Sequence, residues 1–138
     1  MKIKLIIILL LAVLCFVSPL NSRYVSAEGT QITVAGTIRN TGAGWFVISD
    51  SVHVPLNITK IETKEDRIVV WHSVGAKNIH TFIVTPDETM TKEGYAVGVS
   101  GGTYYSNVYV YDKNHNLINP NDYKNAGGNI WIYALLSL

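Results

Sequence analysis

Two apolar patterns divide the chain. Leu5 to Val17 is an unbroken apolar run, preceded by Lys2 and Lys4 and closed by Ser18 and Pro19. Past residue 28 the apolar positions come in short segments separated by Gly, Pro, Asn and Asp. Several of these alternate: Ile32, Val34 and Ile38 with Thr33, Ala35 and Thr37, and Val108 and Val110 with Tyr109 and Tyr111. A period of two puts successive side chains on opposite faces of a strand. Breaks fall at Gly42-Ala43-Gly44, Lys64-Glu65-Asp66, Val74-Gly75-Ala76-Lys77, Gly101-Gly102 and Lys113-Asn114-His115-Asn116. The last of these reads as a hairpin turn into Leu117-Ile118, and Asn129 to Leu136 is the final strand. No segment holds a helical period over three turns, and only Pro86 to Lys92 allows a helical turn. The pattern predicts an all-β fold: one antiparallel β-sandwich, jelly-roll-like, of about eight or nine strands spanning residues 28–138.

The N-terminal run changes the expected address. It is about 13 residues long, short of the roughly 20 needed to cross a bilayer as a helix. Val25-Ser26-Ala27 fits a signal-peptidase site, so residues 1–27 are expected to be a cleaved signal peptide and the protein to be secreted, with no stable membrane anchor after cleavage. Cys15 follows Leu14 inside the run and reads as apolar filler rather than a lipidated residue. Cleavage would remove this single cysteine, and with it disulfide and thiol chemistry. The formal charge would change from +1 to −2, since 8 Lys/Arg remain against 10 Asp/Glu. Such a domain has no electrostatic footprint for nucleic acid and no basic cluster for an anionic membrane. The whole looks bacterial.

The candidate chemistry is thin. Zinc needs three or four converging ligands, and the histidines are His53, His72, His80 and His115. His72 and His80 fall on adjacent predicted strands. If 74–77 were a four-residue hairpin loop they would face opposite sides, and a one-residue slip would bring them together. Surface or half-buried positions explain all four. Asp50 and His53 are close, but no Gly-x-Ser-x-Gly elbow accompanies them. Asp87 and Glu88 beside Pro86 read as loop carboxylates that meet solvent or cap a turn. Asp112, Asn114 and Asn116 match the start of a calcium loop, but Leu117 stands where that loop needs Gly and Tyr123 where it needs Glu. Asn57-Ile58-Thr59 is formally a glycan acceptor. No catalytic residue, cofactor or metal is assigned, and the protein is not expected to be an enzyme.

The aromatic residues carry more. Tyr105, Asn107, Tyr109 and Tyr111 share one face of one predicted strand, with Val108 and Val110 on the other. With the valines inward, a tyrosine stripe faces out, combining apolar rings with polar tips suited to recognition. Tyr105, Tyr109 and Tyr111, with loop residues Asn114, His115 and Asn121, are the candidate ligand-binding set. Trp45, Trp71 and Trp131 are expected in the core.

Gly36-Thr37-Ile38, Gly44-Trp45, His53-Val54-Pro55, Val84-Thr85-Pro86-Asp87-Glu88, Asn119-Pro120 and Asn129-Ile130-Trp131-Ile132-Tyr133 together resemble small β-domains at the ends of phage tail and fibre proteins. The resemblance covers most of residues 28–138 and implies a β-sandwich-like receptor- or glycan-binding domain, often trimeric. The export signal departs from virion parts, which assemble in the cytoplasm, and points to a secreted, prophage-derived relative. The expected function is a secreted, non-enzymatic module that binds a surface glycan or protein. The alternatives are an interaction protein (a homo-oligomer, or an inhibitor of another secreted protein) and, behind it, a small hydrolase.

Overall fold

The computed structural model describes residues 30–138 except residue 74. The expected signal peptide lies outside the described residues. Eight strands form two antiparallel four-stranded sheets. The first sheet holds β2 (Trp45–Val47), β1 (Gln31–Asn40), β8 (Asn129–Ser137) and β5 (Asn78–Pro86) in that order, and the second holds β3 (Ile58–Thr63), β4 (Ile68–His72), β7 (Tyr105–Tyr111) and β6 (Ala96–Gly101). These are sheets A and B below. First and last strands pair over nine residue positions, from Gln31↔Ser137 to Arg39↔Asn129, and the β4–β7 pair nests within them. The sequence neighbours β1–β2, β3–β4 and β6–β7 also pair, and the whole is an antiparallel β-sandwich. Leu117, expected in a further strand, makes only an isolated bridge to Tyr111.

The sheets meet across one main core. Ile38, Ile130 and Ile132 of sheet A pack with Ile68, Val70, Val108 and Val110 of sheet B. Met90 and Tyr123 close one end, and a smaller cluster of Val34, Ala76, Ala134 and Leu136 closes the other. Together the clusters give the described residues a two-layer core, the build of a single domain.

Among the described residues one α-helix forms, α1 (Glu88–Lys92), and it falls where the sequence allows it. Asp87 is its N-cap, accepting from Met90 N at 2.9 Å. Its second oxygen accepts from Asn129 N at 2.9 Å and Asn129 Nδ2 at 2.8 Å, tying the helix to the start of β8.

Two expectations are corrected. The link from β4 to β5 is not a hairpin, because β4 belongs to sheet B and β5 to sheet A. Backbone bonds from Ala76 N to Thr103 O and from Lys77 N to Ser137 O hand the chain from one sheet to the other. His72 and His80 therefore never pair: His72 is buried and faces the core, and His80 is exposed. The tryptophans also divide. Trp45 is in the core, donating from Nε1 to Pro120 O at 2.9 Å. Trp71 is half-buried on the outer face of sheet B, and Trp131 is exposed on the outer face of sheet A.

Candidate binding face

On β7 the valines and tyrosines separate as their alternation requires. Ser106, Val108 and Val110 are buried, while Tyr105 is exposed and Asn107, Tyr109 and Tyr111 are half-buried on the outer face. Register supplies the neighbours. Trp71 pairs with Tyr105 and Val69 with Asn107 on the β4 side; Ser100, Gly98 and Ala96 pair with Asn107, Tyr109 and Tyr111 on the β6 side. Paired residues share a face, so four aromatic residues lie along two central strands, flanked by the small side of β6. Tyr105 to Tyr111 spans six residues, roughly 20 Å at about 3.3 Å each.

The small residues position the rings. A Cβ on Gly98 would stand 3.2 Å from Tyr111 Cε2, so the ring rests against bare backbone. The Tyr109 hydroxyl lies 3.2 Å from Ser100 Oγ, which also accepts from Asn107 Nδ2 at 3.2 Å. At the other end the Trp71 and Tyr105 rings lie 5.4 Å apart, tilted by 55°. Lys60 Nζ sits 5.0 Å from the Trp71 ring centroid, within cation–π range. The same ammonium bonds Glu62 Oε1 and, with Lys64, holds the Glu62 carboxyl below the usual range.

Three polar atoms on this side lack a hydrogen-bond partner among the described residues: Trp71 Nε1, Arg67 Nε and Asn107 Oδ1. Each such group costs about 1–3 kcal/mol while it stays unmatched. All three atoms are shielded from solvent.

The predicted loop residues sit beyond the Tyr111 end. Asn114 and His115 are exposed in the turn that follows β7, and Asn121 is exposed in a 3₁₀ turn over Pro120–Asp122. Asp112 Oδ1 accepts from Asn114 N at 2.8 Å and Asn116 N at 2.9 Å. These bonds, the Asn116 amide first, hold the Asp112 carboxyl below its ordinary range and occupy the oxygens a calcium loop would need. His115 adopts a positive φ of 62°, the left-handed geometry of such a turn. The side chains of Asn114, His115 and Asn121 make no hydrogen bond among the described residues, and none of the three is bonded to a tyrosine of the stripe.

Sequence reasoning missed what lies between them. A cleft of about 420 Å³ is lined by Glu93, Tyr95, Asp112, Lys113 and Asn125. Since Ala96 pairs with Tyr111, Tyr95 and Asp112 come one step further along, placing the cleft at the end of the aromatic stripe. Of the lining residues Glu93 is held by the buried Tyr123, whose hydroxyl donates to Glu93 Oε2 at 3.2 Å and whose phenol pKa is pushed upward by burial and then by that carboxylate. No sequence motif joins residues 93–95 to 112–125; only the fold does.

The other chemical candidates resolve into local structure. Asp50 accepts from the amides of His53 and Val52 and from the His53 ring, Nδ1 lying 2.9 Å away; these bonds, the His53 amide first, pull its carboxyl down to about 2. Asn57 is bound on both sides of its amide, to Thr33 O and by Ser73 Oγ. Among the described residues no group of three His, Cys, Asp or Glu is arranged to hold a metal. Comparison with family models, curated proteins and solved structures returns no match.

Proposed function

We propose that this protein is an exported, non-enzymatic module that binds a polysaccharide along the outer face of sheet B. The observation that carries this reading is the aromatic stripe of Trp71, Tyr105, Tyr109 and Tyr111 on the outer face of sheet B. Sugar rings present C–H faces to aromatic planes and hydroxyls at their edges. A surface answering both has rings with polar tips, as tyrosine does. A stripe of roughly 20 Å suits several sugar units in a row rather than one. The cleft at its end, with Asn114 and His115 nearby, offers a stop for a chain terminus. The near-neutral charge favours an uncharged polymer over nucleic acid. The resemblance to phage tail and fibre end domains, which implies receptor or glycan binding, points the same way.

The test is a pull-down of residues 28–138 against purified cell-wall polysaccharides, with Tyr109→Ala plus Tyr111→Ala as the variant. Losing two anchors of at least about 1 kcal/mol each weakens binding roughly thirtyfold or more. Unchanged retention by a variant with the wild-type circular dichroism spectrum rejects the stripe as the site.

A further inference from the structure

Among the described residues the outer face of sheet A is also uncovered, and its chemistry is different. One row crosses it from edge to edge: Leu56 bridges Ala35, Ala35 pairs with Tyr133, and Tyr133 with Ile83. Trp131 and Leu135 flank Tyr133 on β8, and Phe46 lies towards the β2 edge. Phe46, Leu56, Ile83, Trp131 and Tyr133 are all between 45% and 52% exposed, half of the large apolar side chains exposed among the described residues. The intervening positions are largely threonines (33, 37, 81 and 85). Arg39 is the one charge among the residues paired across this face, and its Nε donates to Asn129 Oδ1 at 2.7 Å.

We propose that this face is a self-association surface, occupied by the same face of a second copy to form a two-fold dimer. Charge selects this occupant. A symmetric interface places a patch against itself, so any net charge on it would oppose its like. Sheet A's face carries one charge among its paired positions, Arg39 at the end of the β1–β8 ladder and bonded to Asn129, whereas sheet B's carries Lys60, Glu62 and Arg67. Size agrees. Three strands of about nine residues and the short β2, at about 4.8 Å spacing and 3.3 Å per residue, give a face of roughly 500 Å², so a pair buries about 1,000 Å², the threshold for a biological interface and the size of a reversible one. Stacked sheets also pack at about 10 Å whether or not they belong to one chain.

The dimer is then four sheets deep, in the order B, A, A, B. Its two tyrosine stripes face opposite ways, roughly 30 Å apart. Such a particle does not grip one surface twice; it bridges two polymer chains. The bridging role rests on the proposed glycan reading, but the dimer does not.

Sedimentation of residues 28–138 without any ligand tests the interface alone. The wild type is expected to dimerise at micromolar concentration. Trp131→Glu and Ile83→Glu, each entering the interface twice, are expected to weaken the dimer at least about 100-fold with the fold retained by circular dichroism. A wild type that stays monomeric up to 100-fold higher concentration overturns the proposal, as does a dimer that survives the two substitutions together. If either variant fails to fold, Tyr133→Lys and Thr85→Lys are read in its place. Cross-linking is scored separately, as turbidity on mixing with wall polysaccharide. A dimer that binds the polymer without turbidity overturns the bridging geometry and leaves the stripe standing. A dimer that binds no wall polymer instead rejects the glycan reading.

Discussion

His72 shows how one buried polar residue sets a condition on the whole fold. It sits on the inner face of β4, its Nε2 3.0 Å from Ser106 Oγ and its Nδ1 without a partner. Burial holds its pKa below the ordinary 6.5. The unfolded chain therefore takes up a proton on His72 before the folded chain does. The stability tied to the neutral ring is complete above about pH 6.5 and declines as pH falls from there towards the lowered folded value. Thermal melts from pH 7.5 to 5 should show this loss in the wild type and a shallower one in His72→Gln, which keeps a group able to meet Ser106. Equal slopes would assign the pH dependence to other groups. Nothing in the local sequence marked His72 as buried. Its environment is made by Ser106, 34 positions away, and by the handover of the chain between sheets at 74–77.

At the scale of strands, legibility followed the contrast between faces. β7 alternates valine with tyrosine, so its two faces could be told apart from the sequence alone, and the buried positions are those the alternation requires. β8 is apolar on both sides. Ile130, Ile132, Ala134 and Leu136 point inward, and Trp131, Tyr133 and Leu135 outward, so the run reads as uniformly buried and Trp131 was expected in the core. The period of two was present there, but composition hid it. The 74–77 turn was opaque for another reason: four residues can close a hairpin or cross between sheets, and pairing partners far along the chain decide which. The small edge of β6 shows how one strand shapes its neighbour. Gly98→Val adds atoms where Tyr111 now lies at 3.2 Å from the built Cβ position, and the ring must lift. Affinity for the polymer should fall by about three- to tenfold, or ~0.7–1.4 kcal/mol. Titration calorimetry showing an unchanged constant would mean the Tyr111 ring does not contact ligand.

At the scale of the molecule the sandwich carries two outer faces of unlike character. Sheet B's mixes aromatic rings with charges; sheet A's is apolar and threonine-rich. On that contrast rest the proposals of polymer recognition for one and self-association for the other, and both faces lie over the same two-layer core. The sheet partition that creates the two faces is a long-range property, and only the stripe on β7 announced itself in the sequence. The central claim is that ligand lies along Trp71, Tyr105, Tyr109 and Tyr111. Amide and indole NMR of labelled residues 28–138, titrated with wall oligosaccharide, tests it most directly. The account predicts perturbations concentrated at the outer positions of β4, β6 and β7, with the Trp71 indole N–H among the largest. Perturbations confined to Trp131 and Tyr133 on the opposite sheet would contradict it.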